Sequence, residues 1–265
     1  MPNAPRAIVT GASSGIGRAF AERLAADGHD LVLIARRRDR LEDLASELRS
    51  RGGVVEVVAA DLTEREALAA IEARIAEDDR LALLVNNAGF GGYGPFIELD
   101  PDLADRQIDL HLKALIRLTR AALPGMVERK TGAVISVAST LSFTATTALE
   151  RPKRAVYTAT KAFITTFTQI LAQELEGTDV RVQALCPGLV RTEFHDSLGG
   201  RPPGAHVLEP ADIVTAALAG LALGEVVCVP QLPERAPLDA LAEAQRTVWR
   251  ESLQPVIAGR YRDVG

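Results

Sequence analysis

Cysteine is scarce in this chain of 265 residues: there are two, Cys186 and Cys228, each inside an apolar run. That excludes a disulfide-stapled scaffold and fits two reduced, buried thiols in a cytoplasmic protein. Histidine is nearly as rare, with four scattered residues. With so few ligand types no metal-binding spacing forms, and no metal is expected. No apolar run approaches the ~18 residues of a membrane-crossing helix, so no membrane partner is expected. Positive charge is not in excess. Thirty Lys and Arg against 35 Asp and Glu leave a net charge of −5, with no basic block, which withholds electrostatic support from nucleic-acid binding. The opening M-P-N-A-P-R runs straight into an apolar stretch and leaves no room for a secretory signal. Repeats, linkers and low-complexity segments are also missing. What is there, at 47% hydrophobic and 25% charged residues, suffices for one large core.

That core has a pattern. Short apolar runs with little alternation lie at 7–9, 31–35, 54–59, 81–85, 133–137, 180–185 and 226–229, as parallel strands buried on both faces require. Helical patterns fill the gaps at 15–27, 38–51, 63–77, 102–129, 156–176 and 210–223. Such alternation predicts an α/β fold: a doubly wound, mostly seven-stranded parallel sheet of the Rossmann type, as a single domain. The Pro/Gly-rich stretch 199–204 reads as a mobile loop inside that domain. A further helical pattern at 238–253, containing Trp249, reads as a cover for the last strand's edge.

Two motifs carry chemistry. After the first strand comes T-G-A-S-S-G-I-G, from Thr10 to Gly17, and then a helix. Strand, glycine turn and helix make a phosphate-binding device: Gly11 permits the turn, Gly15 lets backbone approach a pyrophosphate, and Gly17 lets helix pack on strand. Ser13 and Ser14 add hydroxyl donors, and the N–H groups of the first helical turn, Ile16 included, face the anion. Taken alone, the same turn would also suit an ordinary strand-to-helix connection. The second motif is Tyr157 and Lys161, four apart on one helical face. An ammonium beside a phenol favours the phenolate and makes a proton donor or acceptor for a carbonyl or alcohol oxygen. The bland reading of the pair is a surface aromatic beside a solvated lysine.

Together with N-N-A-G at 86–89, Ser139, and P-G-x-V-x-T from Pro187 to Thr192, these motifs stand in one order. The chain resembles the short-chain dehydrogenase/reductase (SDR) family over about residues 6–229. The resemblance implies a dinucleotide-binding catalytic domain at 1–232, with 233–265 as a helical extension of it. It implies NADP(H)- or NAD(H)-dependent interconversion of a ketone and a secondary alcohol. Ser139 would hydrogen-bond the carbonyl. Tyr157 would be the acid or base, and Lys161 would hold the nicotinamide ribose and lower the Tyr157 pKa. Asp61 would meet the adenine with Leu62 backbone beside it. Asn87, Ala88 and Gly89 would flank the adenosine ribose, while Pro187, Gly188, Val190 and Thr192 would receive the nicotinamide. Ser136 reads as structural, Ser142 competes weakly with Ser139, and Asn86 suits either the site or a strand brace.

Cofactor choice follows from the end of the second strand. A carboxylate there would favour NAD; this chain has Ala35-Arg36-Arg37-Arg38 instead. Arg36 is placed to pair with a 2′-phosphate, with Arg37 a lesser candidate, so NADP(H) is preferred to NAD(H). The alternative is that these arginines only solvate the next helix.

Two features depart from the family. His111 stands where an Asn usually helps hold a water, and it suits either a proton relay or a packed helix residue. The extra stretch 146–154, with its L-E-R-P-K-R, suits either a loop at the substrate entrance or a remote insertion. Substrate walls are expected from 90–96, the segment after Ser139, and 194–207, the last resembling a lid. They suggest a moderately apolar ketone or alcohol. Pairing through 102–129 and 156–176 would make a homodimer, with a tetramer as the larger alternative. A non-catalytic NADP(H)-binding sensor and an isomerase are the competing functions.

Overall fold

The computed structural model describes residues 4–92, 94–147, 154–194 and 206–262. Its chain divides into two compact units, Met1–Pro230 and Gln231–Gly265. The first holds seven strands: β1 (Arg6–Thr10), β2 (Asp30–Ala35), β3 (Val55–Ala59), β4 (Leu81–Asn86), β5 (Ala133–Val137), β6 (Arg181–Leu185) and β7 (Val227–Cys228). They form one sheet in the order β3-β2-β1-β4-β5-β6-β7, and every pairing is parallel. This is the doubly wound α/β sheet that the alternation predicts.

Helices cover both faces, which is why the strands are apolar without alternation. Ala7 and Val9 point to one face with Phe20, Leu24, Leu44 and Ile213, while Ile8 between them points to the other with Leu68, Ile71, Leu118 and Met126. The first face thus packs α1 (Gly15–Ala26), α2 (Arg38–Ser50) and α7 (Pro210–Ala222). The second packs α3 (Arg65–Ala76) and α5 (Leu115–Glu128), and Leu171 and Ala172 of α6 (Ala155–Glu174) join it. At the N-terminal ends of the strands, ion pairs Arg6–Asp78 (2.9 Å) and Arg80–Asp30 (2.7 Å) tie β1, β2 and the turn before β4 together. Asp78 and Asp30 are buried there, so these pairs close that end of the sheet with matched charge.

One helix differs from expectation. The pattern at 102–129 suggests a single helix, but the structure breaks it into α4 (Pro101–Ile108), a π-helical turn at Asp109–Ala114, and α5. Asp100 caps the first piece by accepting the Asp102 N–H at 3.0 Å. A π turn adds a residue to the helical repeat and re-aims the side chains within it. Here it turns His111 and Ala114 inward. The last strand is also shorter than 226–229, with only Val227 and Cys228 paired to β6.

The second unit contains α8 (Ala236–Ser252) and a short 3-10 turn, Gly259–Tyr261. No residue of α8 is buried. Within it, Glu243 bridges Arg246 and Arg250, both at 2.8 Å.

Candidate functional site

The C-terminal ends of β1 and β4 lie side by side at the point where the strand order reverses. In an open parallel sheet this is where a ligand crevice forms. The two ends are knotted together. Thr10 Oγ1 donates to Val85 C=O at 3.2 Å and accepts the N–H groups of Asn87 and Ala88, each at 3.0 Å. Asn87 Nδ2 returns bonds to the carbonyls of Thr10 (2.9 Å) and Gly11 (3.2 Å). Gly17 is what allows this closeness: a Cβ there would lie 2.4 Å from the Gly11 oxygen and 2.5 Å from Asn87 Nδ2. Asn86 turns the other way and donates to Thr119 Oγ1 at 3.0 Å, so it braces β4 against α5.

Above the knot lies a cavity of about 890 Å³. It is lined by Gly11, Ser13, Ser14, Gly15, Ile16, Arg36, Asp61, Leu62, Asn87, Ala88 and Gly89 at one end. Ser139, Tyr157, Lys161, Pro187, Gly188, Val190 and Thr192 line the other. Of the residues expected to react or to hold the cofactor, Gly17 alone is not on the wall; it packs behind it. The cavity fits a dinucleotide by its chemistry. Ser14 precedes α1 without capping it, and the first turn carries no acid, so its N–H donors are left to an anion. Arg36 stands two-thirds exposed at the rim, with only a loose 3.7 Å pairing to Asp61. Asp61 itself accepts the N–H and hydroxyl of Thr63, at 3.0 and 2.8 Å.

Leu141, Arg154 and Phe194 line the cavity, each from a segment expected near the substrate: the stretch after Ser139, 146–154 and 194–207. Sequence reasoning missed Glu193, which also lines it and simply follows the P-G-x-V-x-T motif. Arg37 reaches over the glycine turn and donates to Ser13 Oγ (3.0 Å) and Ser14 Oγ (2.9 Å). Residues 148–153 of the extra stretch and 195–205 of the expected lid, including loop 199–204, lie outside the described residues, as does residue 93 of the wall at 90–96.

At the other end, Ser139 precedes a 3-10 turn (Thr140–Phe143) and accepts the Leu141 N–H at 3.2 Å. That leaves its own hydrogen to donate. Ser142, the weaker competitor, is off the cavity wall and donates to Lys161 C=O at 2.9 Å. Ser136 is buried inside β5. Tyr157 is 7% exposed, with the Phe194 ring at 5.9 Å and the His111 ring edge-on at 5.7 Å. Lys161 Nζ lies 5.6 Å from the Tyr157 ring centre and donates to Val137 C=O at 2.8 Å.

The family profile described as short chain dehydrogenase matches residues 5–201. The chain belongs to the short-chain dehydrogenase family. A short chain dehydrogenase of Pseudocercospora fijiensis is 41% identical over 191 residues, which are 71% of this chain and 60% of that protein. Among solved structures, a short-chain dehydrogenase from Sphingobium yanoikuyae in complex with NADPH is 40% identical, with a TM-score of 0.91. The match covers 97% of this chain and 100% of that one. A bulky-bulky ketone specific alcohol dehydrogenase from Comamonas testosteroni is 34% identical with a TM-score of 0.88, covering 98% and 99% of the two chains. The general chemistry is therefore that of the family, NAD(P)H-linked hydride transfer. No helix among the described residues is long and apolar enough to cross a membrane.

His111 in this SDR protein is fully engaged. Phe90 N–H can only donate, and it donates to His111 Nε2 at 3.1 Å. The hydrogen must then sit on Nδ1, which donates to Thr160 Oγ1 at 3.0 Å. Thr160 passes its own hydrogen to Tyr157 C=O at 2.8 Å. Both ring nitrogens are used, so the imidazole is a strut between the 87–90 segment and the Tyr157 helix. Burial, and then the Lys161 charge, hold its pKa well below the ordinary 6.5. The expected outcome in an NMR titration is one imidazole that stays neutral, with the hydrogen on Nδ1, well below the ordinary 6.5. Protonation of His111 near 6.5 would overturn the strut.

Lys161 is also buried, and burial lowers its pKa from 10.5 to about 8. Its folded pKa lies below its unfolded one, so between these values the unfolded chain binds more protons. Stability should rise with pH across 8 to 10.5, by roughly 3 kcal/mol in all from this group. Chemical denaturation at several pH values checks this against Lys161→Met. The rise should vanish in the variant, and equal pH slopes in the two proteins would contradict it.

Proposed function

We propose that the protein interconverts a ketone and a secondary alcohol with NADP(H) as hydride carrier. The observation that carries this reading is one cavity wall shared by the glycine turn, Arg36, Ser139, Tyr157 and Lys161. When bound, the nicotinamide supplies or accepts the hydride; the protein supplies position and the proton. The Ser139 hydroxyl donates to the substrate oxygen and fixes it. The Tyr157 phenol donates its proton to that oxygen as charge grows there, or takes one in the reverse direction. Lys161 holds the ribose hydroxyls, and its charge favours the phenolate. Asp61 and Leu62 would border the adenine, Asn87, Ala88 and Gly89 the adjoining ribose, and Pro187 to Thr192 the nicotinamide.

Three further points support the detail. Arg36 at the end of β2 suits a 2′-phosphate, and the Sphingobium relative is described with NADPH. Phe90, Leu141 and Phe194 give the substrate end apolar faces, in keeping with the bulky ketones named for the Comamonas relative. Exposed Ile108, Ile116 and Ile170 on α4, α5 and α6 suit pairing of two copies through these helices.

The test is titration with NADPH and NADH, followed by a panel of bulky ketones read by loss of NADPH absorbance. Tyr157→Phe should lower kcat by roughly 10²- to 10⁴-fold with NADPH affinity nearly unchanged. Arg36→Ala should weaken NADPH roughly tenfold or more while sparing NADH. Turnover retained in Tyr157→Phe would remove the acid–base assignment, and wild-type preference for NADH the 2′-phosphate one. Light scattering should give a dimer mass that falls on Ile116→Glu; a wild-type monomer would end the pairing proposal.

A further inference from the structure

The cleft is bordered by two segments far apart in sequence, the β2–α2 connection and the stretch 187–194. They are joined by a carboxylate. Glu193 accepts from Arg40 Nη1 through both oxygens, at 2.6 and 2.7 Å, and from Arg37 Nη1 at 3.0 Å. Arg37 in turn holds the hydroxyls of Ser13 and Ser14. A polar chain therefore runs from α2 through Glu193 and Arg37 to the glycine turn.

Two cavities meet along this chain. Ser13, Ser14, Gly15, Thr192 and Glu193 line the 890 Å³ cleft, and the same five also line an outer groove of about 660 Å³. They form a thin partition between the cleft and the outside. Contact within it is close: a Cβ on Gly15, where φ is +56°, would meet the Thr192 methyl at 2.8 Å. The residues beside Glu193 face the chemistry. Thr192 lines the cleft on one side, and Phe194 on the other lies 5.9 Å from the Tyr157 ring. Arg40 lines only the outer groove. The hydrogen bonds from Arg40 first and Arg37 second lower the Glu193 pKa, so the carboxylate stays charged at neutral pH.

We propose that Glu193, gripped by Arg40 and Arg37, is a positioning residue that straps the 187–194 segment across the dinucleotide cleft and sets the rate at which cofactor leaves. The proposal rests on the reading of the cleft as a dinucleotide site. Each half-exposed ion pair is weak in water, but two guanidinium groups on one carboxylate form a network. The strap breaks and re-forms without disturbing the buried sheet. While closed it keeps Thr192 against the glycine turn and Phe194 over Tyr157. It opens for cofactor to pass.

The experiment is stopped-flow release of NADPH, and separately of NADH, from wild type, Glu193→Gln and Arg40→Gln, with thermal melts as a check on folding. Arg40 lines only the outer groove and is tied to the cleft wall through Glu193, so its variant loosens the strap from outside. Release of both nucleotides should quicken roughly fivefold in each variant, with association rates little changed. High salt should quicken wild-type release more than that of Glu193→Gln. Unchanged release in both variants overturns the strap. Slower NADPH release in Glu193→Gln, with NADH unaffected, also overturns it, since Glu193 would then be competing with the 2′-phosphate for Arg37. If wild type binds neither nucleotide, the dinucleotide reading falls and the strap with it.

Discussion

The structure depends on how closely β1 and β4 meet at their C-terminal ends. Thr10 accepts two backbone N–H groups from the far strand's exit, and Asn87 returns bonds to the backbone of the glycine turn. The arrangement works only because Gly17 presents no Cβ to the turn beneath it. From this junction the chain leaves in two directions, to α1 on one face and to the 87–92 segment over the other. The cleft between them exists because the exits diverge while the strands stay paired. A side chain at Gly17 would push the helix off, and phosphate donors, Asn87 and cleft floor would move together.

Around that junction the protein buries charge at a cost. Lys161 is enclosed, donates to the Val137 carbonyl, and its ammonium is disfavoured. Cys186 lies near it, its thiol pushed up to about 11 by burial, so it provides no compensating anion. His111 is neutral and tied at both nitrogens. An ammonium can take further oxygen partners, which ribose hydroxyls would supply under the proposed function. Such a buried ammonium lowers the stability of the free protein, a cost that a bound partner would offset.

Much of this was legible beforehand. Continuous apolar runs forced strands covered on both faces, and the glycine turn, Tyr157 and Lys161, Ser139 and the 187–192 motif indicated which loops meet. The expected site residues do come to one cavity, apart from Gly17, whose packing role was also visible in its spacing. His111 was not legible. A histidine within a helical pattern carries no sign of its partners, and the π turn that aims it leaves no local trace. Arg37 looked secondary to Arg36 because adjacency in sequence says nothing about which guanidinium reaches back over the turn. Glu193 was invisible for the same reason: its partners Arg37 and Arg40 are distant in the chain.

Sequence by itself determined the sheet, its burial on both faces and the place of the glycine turn, because each depends on local periodicity or on a residue's intrinsic chemistry. Only the tertiary structure decided the protonation state of His111, the depressed pKa of Lys161 and the Arg37–Glu193–Arg40 bridge. These depend on desolvation and on distances between segments brought together by folding, and a one-dimensional pattern holds neither quantity.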